Sequence, residues 1–194
     1  SFIMRVCIYA QFRSGSTVLS LYVSNQLGLY NIAEPYNPRN SARGRYFPDE
    51  VVWLDPGVSV KFLCGELRTD QQESLHKYFD KVVILTRDDD IAGAESHMMG
   101  LITRIWEPYK YNLKDFNEEE RKKLQYNIKW REETRKQLTN LPYFQVTYEE
   151  LFYKKVGITR LNSYLNIEQD NSDIDMFDIK HKYRQDPINK KSII

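Results

Sequence analysis

The sequence predicts an α/β fold with three layers, α/β/α, around a central, mostly parallel sheet of about four or five strands. Three observations predict it. The runs RVCIYAQ (5–11), VSVKFLC (58–64) and KVVILTR (81–87) are apolar and rich in β-branched residues, as buried strands are. Longer stretches with helical spacing alternate with them. The intervals are long enough for crossover helices, which implies βαβ units with helices on both faces of the sheet.

The elements follow in order. After the strand at 5–11, residues 17–29 read as a largely covered helix stopped at Gly28. YNIAEPY is a short extended piece closed by Pro35. Residues 37–57, rich in Pro, Gly, Asn and Arg, form a loop long enough to be functional. The second strong strand, 58–64, precedes TDQQESLHKYF, where Asp70 with Glu73 predicts a capping box. The third, 81–87, leads through three aspartates into the helix IAGAESHMMGLITRIW. Asn117 with Glu120 opens a long charged helix over 117–139, whose charge reads as a solvated face. YFQVTY (143–148) is a strand, and Thr147 with Glu150 caps the helical YEELFYKKV and ITRLNSYLNI that follow. The polar tail, 170–194, reads as a loop or arm.

At 194 residues, one domain spanning 1–194 is expected, large enough to bury roughly 70% of its unfolded surface. A formal net charge of +1 argues against a broad basic field for nucleic acid, while leaving room for a local anion pocket. Cys7 and Cys64 lie in separate strand-like runs and are expected to be buried, reduced thiols. With His76, His97 and His181 scattered, no metal site is expected. No membrane-length apolar run or signal peptide is visible. Met4 ahead of RVCIYA reads as a natural start, and a cytoplasmic location is the expectation.

FRSGST, where the first strand gives way to the first helix, carries the functional reading. In open α/β sheets ligands sit at the carboxyl ends of the strands, and the N-terminus of the helix that starts there favours an anion. Gly15 lets the backbone curl; Ser14, Ser16 and Thr17 add hydroxyls; Arg13 adds a two-pronged cation. A Ser/Thr helix cap with an incidental arginine fits the turn equally well. The pattern is not the GxxxxGK[ST] of P-loop NTPases, because Ser16 directly follows Gly15 and no lysine precedes the hydroxyl. A second cation, Arg87, ends the strand at 81–87, and Ser96 follows two turns into the next helix. Taken alone, Arg87 could instead pair with the Asp88–Asp90 run.

Together with YFQVTYEELF and ITRLNSYLNIE, these segments resemble, through most of residues 5–167 and in order, the sulfotransferase family whose donor is 3′-phosphoadenosine 5′-phosphosulfate (PAPS). FRSGST resembles that family's 5′-phosphosulfate loop and LTRDDDIAGAES its 3′-phosphate segment. NIAEPYN and VSVKFLCGEL resemble the glutamate-proline segment and the lysine-bearing central strand of the carbohydrate-type and trehalose-type branches. Arginine at position 13, where the phenol and steroid members carry lysine, is similar to those branches too.

The resemblance implies a P-loop-NTPase-like fold and in-line sulfuryl transfer from PAPS to a hydroxyl of a carbohydrate or small metabolite, without a metal, leaving adenosine 3′,5′-bisphosphate. It implies that Arg13 stabilises the leaving phosphate, that Ser14, Gly15, Ser16 and Thr17 cradle the 5′-phosphate, and that Arg87 and Ser96 hold the 3′-phosphate. Glu34 is implied as the base, and Lys61 as a reach to the sulfonate. Lys182 and Arg184 in the tail are further candidate phosphate ligands, and His97 is a second candidate base. The loop at 37–57 and the segment 103–112 are expected to wall the acceptor. Two alternatives stay open: a degenerate P-loop kinase or nucleotide hydrolase, and a non-catalytic nucleotide-binding relative.

Overall fold

The computed structural model describes residues 4–37, 57–104, 116–168 and 174–183. Five strands form one parallel sheet: β1 (Val6–Ala10), β2 (Tyr30–Ala33), β3 (Val58–Leu63), β4 (Lys81–Thr86) and β5 (Phe144–Thr147). Their order across the sheet is β2-β3-β1-β4-β5. β1 is central, with Val6 beside Ser59 on one edge and Lys81 on the other. All five of its residues are buried, which is why it reads as an unbroken apolar run.

Alternate residues of the strands feed two cores. Val6, Ile8, Val83, Leu85 and Val146 pack with Leu19, Tyr22 and Val23 of helix α1 (Ser16–Leu27) and with Ile158, Leu161 and Leu165. Cys7, Tyr9, Val60, Phe62, Val82 and Ile84 point to the opposite face, toward Leu75, Phe79 and Leu138. The remaining helices among the described residues are α2 (Thr69–Glu73), α3 (Asp90–Thr103), α4 (Glu118–Thr139), α5 (Tyr148–Phe152), α6 (Val156–Leu165) and α7 (Met176–Tyr183), with a 3₁₀ turn at Leu75–Lys77. The architecture is the three-layer α/β/α sandwich that the alternation of elements implies.

The helix ends follow local chemistry. Gly28 closes α1 at φ 64°. Asn117 and Glu120 exchange side-chain and backbone hydrogen bonds at the start of α4, as do Thr147 and Glu150 at α5. Both cysteines are buried and unpaired. No helix among the described residues is long and apolar enough to cross a membrane.

Three expectations need correction. The tail is not all loop: α7 lies within it, and Met176 and Ile179, each 1% exposed, join the core on the α1 face. Helical spacing of Met176, Ile179 and Tyr183 was masked by the polar residues around them. The Asp70–Glu73 box does not form; Gln71 Oε1 instead accepts from the Arg68 N–H at 2.9 Å, so the box starts two residues earlier. Lastly, α4 is not wholly a solvated face, because Arg131 is fully buried.

Candidate functional site

A cleft of about 1060 Å³ opens at the carboxyl ends of the strands. Arg13, Gly15, Ser16 and Thr17 from the β1–α1 turn line it, with Glu34 after β2, Lys61 of β3, Arg87 after β4 and Ser96 of α3. Four strand ends thus bring together residues that lie between positions 13 and 96, as the switch point of an open α/β sheet does.

The turn is tightly built. Arg13 and Gly15 both have positive φ, 55° and 82°. A Cβ on Gly15 would land on the Phe152 ring and lie 3.2 Å from Tyr148. Gly15→Ala should therefore distort the loop and destabilise the fold by about 1–3 kcal/mol. Chemical denaturation checks this, and a variant as stable as the parent would show that the turn has room to relax.

Ser14 is a correction. Its side chain is buried and its hydroxyl donates to the Gln11 carbonyl at 2.6 Å. It braces the turn rather than offering a hydroxyl to a ligand. Ser16 and Thr17 do line the cleft.

The N-termini of the longer helices differ in how they are satisfied. At α3, Asp89 caps the N–H of Ala92, and the Glu149 carboxylate accepts from the N–H groups of Asp88 and Asp89, both at 3.1 Å. At α4, Asn117 caps and three glutamates fill the first turn. At α1 there is neither a side-chain cap nor an acidic residue. Its first-turn N–H groups and the positive end of its dipole point into a cleft lined by cations.

Arg87 is held open at this place. Its Nη1 donates to the Arg13 carbonyl at 3.1 Å, and its guanidinium lies 4.2 Å from the centre of the Tyr148 ring. Its Nε is buried without a partner. Two of the neighbouring aspartates are engaged elsewhere: Asp89 caps α3 and Asp90 pairs with Arg135 at 2.6 Å. Ser96 Oγ accepts from Arg13 Nε at 2.9 Å, so Ser96 joins the first turn to α3 instead of facing Arg87 alone.

Lys61 is nearly fully buried, 3% exposed, and bridges two partners. Its Nζ lies 3.1 Å from Glu34 Oε2 and donates to Thr17 Oγ1 at 3.2 Å. Glu34, at φ 52°, also accepts from Asn37 Nδ2 at 3.1 Å. The predicted base and the predicted sulfonate contact are thus one ion pair, set against the loop.

His97 stacks on Phe12, with ring centroids 5.4 Å apart, and its Nδ1 meets Asn127 Nδ2 at 2.9 Å. Burial first, then the charges of Arg131 and Arg13, push its pKa down to about 4. An imidazole so depressed is a poor proton acceptor near neutrality. Lys182 falls on α7, whose side chains beyond Ile179 are outside the described residues. Arg184 lies outside them altogether, as do 38–56 and 105–115, which hold most of the expected acceptor walls.

Three further residues of the site gave no signal in the sequence. Gln11 ties the strand ends together: its Nε2 donates to the Arg131 carbonyl and to Thr134, and its Oε1 accepts from the Arg87 N–H. Arg131 donates through Nη1 to the Phe12 carbonyl, behind the loop, and its Nε and Nη2 have no partner. Burial and the nearby charge of Arg87 pull its pKa down to about 10. Glu66, just past β3, lines the cleft near Glu34 and Lys61.

No family model matches the chain, and no curated protein does. Among solved structures, a shikimate kinase from Bacteroides thetaiotaomicron superposes with a TM-score of 0.52 at 14% identity. The match covers 84% of this chain and 99% of that one. The chain has a P-loop-like α/β fold. At that identity the likeness is one of fold alone.

Proposed function

We propose that the protein is a PAPS-dependent sulfotransferase acting on a hydroxyl of a carbohydrate or small metabolite. The observation that carries this reading is the α1 N-terminus, left without a cap and ringed by Arg13, Arg87 and Lys61.

Such an end suits the 5′-phosphosulfate, held by the N–H groups of Gly15, Ser16 and Thr17. Arg13 meets the charge that builds on the leaving phosphate oxygen as the S–O bond breaks. Arg87, with Ser96 nearby through Arg13, takes the 3′-phosphate, and the Tyr148–Phe152 stack offers an aromatic face beside it. Lys61 reaches the sulfonate. Glu34 accepts the acceptor's hydroxyl proton as the new O–S bond forms. Sulfuryl transfer on these terms rests on positioning and electrostatics.

The kinase reading is weaker on two counts. Ser16 stands where a P-loop lysine would, and the hydroxyl of Thr17, a magnesium ligand in P-loop enzymes, accepts from the Lys61 ammonium.

The test is transfer of labelled sulfate from PAPS to a panel of sugars and hydroxylated metabolites. Transfer is expected; tight binding of the bisphosphate with no transfer to any acceptor would favour a non-catalytic relative. Glu34→Gln should lower turnover by about 10²–10⁴-fold, with bisphosphate affinity kept. Undiminished turnover would remove Glu34 as the base.

A further inference from the structure

Just past the β3 end, the cleft is lined by a carboxylate that none of the roles above uses. Glu66 Oε2 accepts from the Leu63 N–H at 2.8 Å, which pins the side chain back against the strand end. Its other oxygen, Oε1, is buried and has no hydrogen-bond partner. A buried acceptor left without a partner is costly, and such atoms mark sites completed by something else. Glu66 lines the same cleft as Glu34 and Lys61.

We propose that Glu66 binds the acceptor, its unpartnered Oε1 taking a hydrogen bond with a second hydroxyl of that molecule, and that the wall formed with Glu34 selects an uncharged polyhydroxyl compound over an anionic one. This rests on the sulfotransferase reading for the identity of the acceptor, though the binding it predicts does not depend on turnover.

The charges facing Glu66 support the selection. Glu34 and Lys61 are an ion pair and cancel. Among the described residues, Tyr9 and Cys64 are the other titratable groups beside Glu66, and both are held in their neutral forms by burial. The charge on this wall therefore follows Glu66. Burial above all, and secondly Glu34, lift its pKa to about 7, against the lowering effects of the Leu63 N–H and Lys61. Below that pH the wall is balanced; above it, the wall is negative and repels an anionic acceptor.

The probes are methyl glucoside and methyl glucuronide, which differ by one carboxylate. Binding of each is measured by calorimetry or saturation-transfer NMR, with and without adenosine 3′,5′-bisphosphate. The preference for the glucoside is expected to grow about five- to tenfold between about pH 6 and about pH 8. In Glu66→Gln, which keeps the shape and removes the charge, that preference should stay flat across the range, with bisphosphate affinity unchanged. Binding of neither sugar, a pH-independent preference in the parent, or the same pH trend in Glu66→Gln would overturn the proposal. Failure of the bisphosphate to bind would count against the sulfotransferase reading instead, and the sugar ratio would still decide the role of Glu66.

Discussion

Arg13→Ala is expected to lower turnover of PAPS by about 100- to 1000-fold, the usual loss when one donor to a developing oxyanion is removed. Affinity for the product bisphosphate should fall by less than about tenfold, because the first-turn N–H groups of α1 still hold the 5′-phosphate. The asymmetry follows from where Arg13 sits. It occupies a left-handed conformation at φ 55°, and its Nε is oriented by Ser96 Oγ at 2.9 Å, so the cation is fixed before the reaction begins. A preorganised charge matters most where charge builds up in the transition state. Steady-state kinetics beside calorimetry separate the two effects. Equal losses in both would make Arg13 an ordinary ground-state ligand.

Arg87→Ala should do the reverse. Its buried, unpartnered Nε and its stack on Tyr148 describe a guanidinium prepared for a ligand rather than one consumed by the fold. Truncation is expected to weaken adenosine 3′,5′-bisphosphate about 10- to 100-fold, the value of one or two charged hydrogen bonds, ~1.5–3 kcal/mol. The same variant should bind adenosine 5′-monophosphate, which lacks the 3′ group, within about twofold of the parent. Parallel titrations of both nucleotides isolate the 3′ contact. If both weaken together, Arg87 supports the turn through its bond to the Arg13 carbonyl and does not read the 3′-phosphate.

Much of the scaffold could be read directly from the chain. β1, β3 and β4 are central and covered on both faces, so burial writes itself into continuous apolar runs. Asn117–Glu120 and Thr147–Glu150 are local pairs, and local pairs survive in sequence. The β1–α1 turn was legible for the same reason: its strand, glycine and helix are contiguous.

What stayed hidden depends on distant partners. Arg131 sits in a helix dominated by solvated charge, and it is buried where the Phe12 carbonyl and Gly93 of α3 close on it. Glu66 looks like an ordinary turn residue in CGEL; its burial in the cleft and the nearby charge of Glu34, 32 residues earlier, appear only in the fold. Ser14 is indistinguishable from Ser16 by composition; the curl of the loop turns one hydroxyl inward onto Gln11 and leaves the other lining the cleft. Asp88–Asp90 offered Arg87 an obvious local mate, yet Arg135, 45 residues on from Asp90, took Asp90 instead.

The most direct test of the account is a metal-free calorimetric titration of the purified chain with adenosine 3′,5′-bisphosphate, beside one with ATP and magnesium. The bisphosphate should bind tightly without metal, and ATP with magnesium weakly. Preference for magnesium-ATP, or indifference to the bisphosphate, would contradict a cleft built around phosphates on both ends of one ribose.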